Sequence, residues 1–203
     1  KVIIEEKWKH FLIDNMVSIR GWIQMKKIRY LQDKNPGVPG IIYKLEPENE
    51  KQRKLQKVRR LWAAVWDIYG IKDIYSGKQL GRREYEIDHF IPWSFITNDE
   101  MWNLMPVNSS LNSSKRDRLP DWDRYFKGFA RNQFLLNQMI YKNEKLAHLF
   151  RECKRDNLNS VWSVEELYID NIEQAHFFHV LEERLKPIYE SARTQGYRVW
   201  MAG

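Results

Sequence analysis

In the run Tyr85-Glu86-Ile87-Asp88-His89-Phe90-Ile91-Pro92 an acidic residue stands directly before a histidine at the end of an apolar stretch. Successive residues on a strand point to opposite faces, so Asp88 and His89 cannot simply pair with each other and are free to address different atoms of one substrate. A metal ligand beside a base has this arrangement. Farther on, Asn103-Leu104-Met105-Pro106-Val107 reads as a second strand, and residues 108–115 as a turn running into a short helix. Asn112 and Lys115 are three apart on it, hence near one face. Hydrolysis of a phosphodiester needs a cation against the charge on the phosphate and leaving oxygen, a base for water, and a donor to a phosphate oxygen. Asp88 and the Asn112 amide are hard oxygen ligands suited to Mg2+ or Mn2+. His89 is the natural base, because imidazole exchanges protons near neutrality.

These residues resemble a known family. Asp88-His89-x-x-Pro92-x-Ser94, then Asn103 at 14 residues beyond His89, then Asn112 at 9 beyond Asn103, then Lys115, are similar to the HNH endonucleases and their ββα-metal fold. The intervals are close to those of the HNH domain of RNA-guided CRISPR effectors. The match is specific over residues 71–120, and a looser similarity to stand-alone bacterial HNH endonucleases reaches back to about residue 17. The resemblance implies that Asp88 and Asn112 hold one divalent metal and that His89 activates water. It also implies that Asn103 fixes the loop carrying His89 and that Lys115 contacts phosphate. Many relatives carry two Cys-x-x-Cys pairs for a structural zinc, and the corresponding positions here are Asp73 with Ser76 and Asn108 with Leu111. No structural zinc is therefore expected, and the zinc turn is expected to survive as a hairpin held by packing.

The elements that must position these residues follow from periodicity. Trp8, Phe11, Leu12, Ile19, Trp22, Ile23 and Leu31 recur at helical spacing, as one long or two short helices, and the Pro- and Gly-rich run 33–40 ends them. A second helix is predicted over 48–69, with Leu55, Val58, Leu61, Trp62, Val65, Trp66 and Tyr69 on one face and Gly70 as its cap. Beyond Pro120 helices are predicted over 122–129, 132–150 and 164–189, the last opened by a Ser163/Glu166 capping box. The fold class is α+β: a small ββα-metal core at 71–120 between a helical flank at 1–70 and another at 121–203, mostly helical overall.

The 203 residues suffice for one full core, and no stretch approaches the length and apolarity of a membrane helix. The single cysteine, Cys153, excludes a disulfide framework and a four-cysteine zinc site and reads as a reduced surface thiol of a cytoplasmic protein. The chain opens at Lys1, without methionine or a signal pattern, which reads as an excerpt of a longer or processed chain. A net charge of +7 is compatible with a polyanionic partner, and the resemblance implies that this partner is DNA. Arg82, Arg83, Arg116 and Arg118 bracket the motif and are candidate phosphate contacts. Arg53, Lys57 and Arg60 cluster on the polar face of the second helix, where DNA contact competes with a solvated face. The paired histidines His176 and His179 read as structural. The reading is a metal-dependent DNA endonuclease, with bacterial defence or restriction suggested by the resemblance. The rival is an inactive nucleic-acid-binding or assembly module on the same scaffold. An activating protein, a guide RNA, or further domains of a longer chain remain open as partners.

Overall fold

The computed structural model describes residues 4–34, 41–45, 54–82 and 84–203. The chain divides into two compact units, Lys1–Lys51 and Gln52–Gly203. In the first, the N-terminal apolar period forms two helices, α1 (Glu6–Asp14) and α2 (Met16–Lys34), followed by the short α3 (Ile41–Lys44). Asn15 closes α1, its backbone N–H and its side-chain amide both bonded back into the last turn. Neither α1 nor α2 buries a residue, and Trp8 and Trp22 are more than half exposed. Most of the Pro- and Gly-rich run lies outside the described residues.

The second unit begins with α4 (Gln56–Tyr69), whose apolar side buries Val58, Leu61, Trp62 and Val65. Residues 48–53 of the predicted helix lie outside the described residues. Gly70 caps α4 at φ 63°, its N–H bonded to the Trp66 carbonyl. At φ 63° and ψ 155° the conformation itself calls for glycine, and a Cβ there would also push the Gln79 side-chain amide aside.

A tight loop at 71–80 follows, and then the two-stranded antiparallel hairpin of β1 (Tyr85–His89) and β2 (Leu104–Asn108), with Asp88 opposite Met105 and His89 opposite Leu104. Between the strands lie α5 (Trp93–Ile96) and a single 3-10 turn. Helix α6 (Ser109–Lys115) leaves β2 directly, with the Asn108 side chain accepting from the N–H groups of Ser110 and Leu111 as its cap. This is a ββα unit. Then come β3 (Leu119–Pro120), α7 (Trp122–Lys142), α8 (Glu144–Asn157), a π turn at Ser163–Leu167, α9 (Gln174–Thr194) and β4 (Val199–Trp200), which pairs parallel with β3. The fold is thus α+β and mostly helical.

Aromatic residues fill the core of this unit. Phe90 stacks on Phe129 at 4.4 Å, and Trp122 stacks on Phe126 at 4.3 Å. Such pairs contribute about 0.5–1.5 kcal/mol beyond their buried area. Tyr75 meets Tyr125 and Trp200 edge to face, tying the loop before β1 to α7 and to the C-terminal strand.

Several helix boundaries differ from the periodicity, among them a break inside the predicted 132–150 helix at Asn143, whose side chain caps α8 by accepting from Leu146 N–H. α7 runs unbroken through Ala130 and Arg131, the predicted gap, to Lys142, and the polar residues just past that gap, Asn132 and Gln133, are satisfied at long range. Asn132 donates to the Lys72 carbonyl, and the buried Gln133 donates to the carbonyls of Met101 and Leu104. The Ser163/Glu166 box does not open α9. Ser163 Oγ donates instead to the Ser160 carbonyl, Glu166 takes a two-oxygen contact from Arg184, and Asn171 at φ 54° turns the chain before α9 begins at Gln174.

Candidate active site

Strand alternation decides which groups meet. Glu86 and Asp88 lie on the face of the hairpin that α6 covers. There Asn112 Nδ2 donates to Glu86 Oε2 at 2.8 Å and Lys115 Nζ lies 3.0 Å from Asp88 Oδ2. Asn112 and Lys115 are one helical turn apart and Glu86 and Asp88 one pleat apart, so the two contacts are parallel rungs between α6 and β1. Glu86 and Asn112 are at the open end, and Asp88, 8% exposed, is at the closed end. The Tyr75 hydroxyl also approaches Asp88, at 3.3 Å. Burial, reinforced by the Asp88 charge, pushes the Tyr75 phenol well above its ordinary range, so it acts as a neutral donor.

His89 projects from the other face of β1, where its Nε2 meets Asp99 Oδ1 at 2.9 Å. The chain just past it is fixed by Asn103. The fully buried Asn103 amide accepts from Ile91 N–H at 2.7 Å and donates to the Ile91 carbonyl at 2.9 Å, while its own carbonyl accepts from Phe90 N–H. A side chain that bonds both backbone groups of one residue acts as an extra strand partner. The turn from β1 into α5 is thereby held although the ladder ends at His89.

Lys115 is fully buried. Its ammonium bonds Asp88 and, at 2.9 Å, the His89 carbonyl, so the expected phosphate donor is engaged inside the domain. In this arrangement it offsets the Asp88 charge and ties β1 to α6.

The four positions that the resemblance sets against zinc cysteines hold one another. Asp73, 1% exposed, accepts from Ser76 N–H and Ser76 Oγ through Oδ2, at 2.8 and 2.7 Å, and from Asn108 N–H through Oδ1 at 3.1 Å. Asn108 in turn accepts from Leu111 N–H. The turn is therefore cross-linked by a buried carboxylate as well as by packing.

The cations are placed unevenly. Arg53 and Arg83 lie outside the described residues. Arg82 pairs with Asp67, Lys57 with Asp156 at 2.6 Å, and Arg60 with Glu152 at 3.0 Å, so the polar face of α4 is engaged by α8. Arg118 folds back onto the carbonyls of Lys115 and Ser114. Arg116 is exposed, at φ 52° and ψ −130°. It lines a cleft of about 970 Å3 with Arg118, Ser94, Tyr197 and Arg198. Cys153 is not the surface thiol expected. It is buried in α8, its thiol donates to the Leu149 carbonyl, and burial pushes it up to about 12. His179 is exposed beside Glu183, and among the described residues no three His, Cys, Asp or Glu side chains are grouped to hold a metal.

Periodicity missed Asp99, Glu86 and Tyr75. Glu86 has a signal, because it lies two residues before Asp88 and strand alternation puts both on one face. Asp99 has none, since its approach to His89 depends on the path through α5.

Residues 73–121, spanning the hairpin, α6 and the Asp73 turn, match the HNH endonuclease family, and this part of the chain is an HNH endonuclease domain. The chain is also 29% identical, over 86 residues, to the CRISPR-associated endonuclease Cas9 of Listeria innocua. That alignment takes in 36% of this chain and 6% of the relative.

Proposed function

We propose that this chain is a metal-dependent endonuclease that hydrolyses DNA phosphodiester bonds. The observation that carries the reading is the rung arrangement inside the matched segment, which sets Glu86, Asp88 and Asn112 on one face and His89 on the next residue. The Asp88 carboxylate and the Asn112 amide oxygen are hard donors of the kind that suit one Mg2+ or Mn2+, with water and phosphate completing the shell, and Glu86 would hold the Asn112 amide. Asp88 and Asn112 would be its ligands, and the ion would neutralise charge on the phosphate and leaving oxygen. His89 would take the proton of the attacking water. Asn103 keeps the His89 backbone in place during that transfer, and Lys115 holds the Asp88 carboxylate toward α6.

The cleft bearing Arg116, Arg118 and Arg198 is lined by residues on both sides of Lys115 in the chain and supports a path for the DNA backbone there. Arg116 and Arg198 make no ion pair among the described residues, whereas Arg82, Lys57 and Arg60 are paired. The likeness to Cas9 supports a place in bacterial defence or restriction, and a guide RNA, a protein partner or further domains of a longer chain would then direct the cut.

Incubation of the purified chain with supercoiled plasmid tests the reading. Mg2+ or Mn2+ should give nicked or linear product, chelator should abolish it, and H89A should lower the rate by roughly 10²-fold or more. DNA affinity of H89A should be nearly unchanged. An unsubstituted chain that binds DNA but leaves it intact with either ion would support the inactive module, which the engagement of Asp88 by Lys115 and Tyr75 favours.

A further inference from the structure

We infer that Asp99 is a positioning residue that fixes the His89 ring, keeping the proton on Nε2 and leaving Nδ1 as the basic atom. The inference rests on the endonuclease reading only for what the base does, since the placement itself concerns two side chains of this domain. Both are nearly enclosed, at 4% exposure for the His89 side chain and 8% for Asp99, and Nε2 lies 2.9 Å from Asp99 Oδ1. A buried carboxylate has only acceptor sites in its ionised form, so the imidazole must be the donor. That places the proton on Nε2. Among the described residues no group bonds Nδ1.

Asp99 is itself held. Its Oδ2 accepts from Lys54 N–H at 2.6 Å, and its backbone carbonyl accepts from Asn157 Nδ2 at 2.7 Å. The same Asn157 amide donates to the Lys54 carbonyl at 3.0 Å. Chain segments 45 and 58 residues away thus hold Asp99, one at the carboxylate and one at the backbone, with the other carboxylate oxygen facing His89. This is more than an isolated ion pair needs, and it is what a fixed acceptor for one ring nitrogen needs.

The clamp makes the conservative substitution informative. Lys54 N–H is a backbone donor that cannot change sign, so in D99N the new amide must turn its oxygen toward Lys54. Its NH2 group then faces His89 Nε2 and can bond only a bare nitrogen, which moves the ring proton to Nδ1. The base is blocked although the shape of the site is kept. In D99A nothing imposes either tautomer. A merely structural role would rank the two variants the other way, the near-isosteric asparagine being milder than alanine.

The test uses 15N-histidine-labelled protein, long-range 1H–15N spectra at neutral pH, and plasmid cleavage with Mg2+. In the unsubstituted chain the buried histidine should show the Nε2–H pattern, and in D99N the Nδ1–H pattern. Cleavage by D99N should fall toward the H89A level, roughly 10²-fold or more, with D99A losing less. In an H89A background D99N should cost no further rate. A proton on Nδ1 in the unsubstituted chain overturns the inference without need of any variant that might fail to fold. So does a folded D99N that keeps Nε2–H, or one that cuts faster than D99A. The expected spectra from a chain that never cuts DNA would leave the Asp99 assignment standing and overturn the endonuclease reading. Cleavage by a chain whose Nδ1 is protonated would do the reverse.

Discussion

Arg116 occupies φ 52° and ψ −130°, backbone space that a side chain with a Cβ enters at a cost of about 1–3 kcal/mol. The strain is held because Arg116 N–H bonds the Asn112 carbonyl and Arg118 N–H bonds the Lys115 carbonyl, closing a turn directly after the buried ammonium. Glycine would meet the same backbone need without strain. Arg116→Gly is accordingly expected to raise stability by about 1 kcal/mol in denaturant titration while weakening DNA binding. A variant that loses stability would show that the arginine side chain is structural. Neither the strain nor the buried orientation of Lys115 is legible in the sequence. Spacing says which residues share a stretch of chain, whereas the direction of a long side chain is settled by what α6 packs against. The local part of the site is legible for the complementary reason: Asp88, His89 and Asn112 sit on elements whose periods fix their faces, whereas Asn103, read as the start of a strand, lies in the 3-10 turn before β2.

At the scale of elements, the turn at 73–80 is held by hydrogen bonds to one buried carboxylate. One carboxylate accepts from two backbone N–H groups and a hydroxyl, joining the turn to the start of α6. Asp73→Ala leaves those buried donors unpaired and should cost roughly 1.5–3 kcal/mol. The combination D73C, S76C, N108C and L111C should take up one Zn2+ per chain by elemental analysis, since four thiolates at these linked positions make a tetrahedral set. No uptake by a folded variant would refute the correspondence with the zinc-bearing relatives. The α4–α8 contact is a second clamp, in which the Asp156 carboxyl is held below its ordinary range by its hydrogen bond to Lys57 and then by Lys54. A depressed carboxyl stabilises the fold above its unfolded value and loses that contribution as pH falls through its folded one. Asp156→Asn should therefore lower the melting temperature at pH 7, with the difference from the unsubstituted chain vanishing below the carboxylate range. A constant difference down to pH 2 would mean that packing, not charge, joins the helices. The α4 period was readable, but its basic face could not be assigned, because the acidic partners on α8 lie about 90 residues away.

At the scale of the whole molecule, a net charge of +7 says that an anion is favoured and not where it lies. The structure separates cations that are engaged from those that are not. Lys57 and Arg60 already face carboxylates, so replacing them with glutamine should cost well under about 1 kcal/mol per pair and release no counterions from bound DNA. Arg116 and Arg198 approach the cleft from just past α6 and from just before β4, two parts brought together by the β3–β4 pairing and by the Trp200 indole bonded to Ser114. If both contact phosphate, each removal should flatten the slope of log affinity against log salt by roughly 0.9, so R116Q/R198Q should lose about two units and K57Q/R60Q none. The readout is equilibrium binding to a duplex across a salt series with chelator present, which keeps cleavage out of the measurement. The opposite pattern, a slope lost with Lys57 and Arg60 and kept without Arg116 and Arg198, would mean that DNA displaces Asp156 and Glu152 and runs along α4.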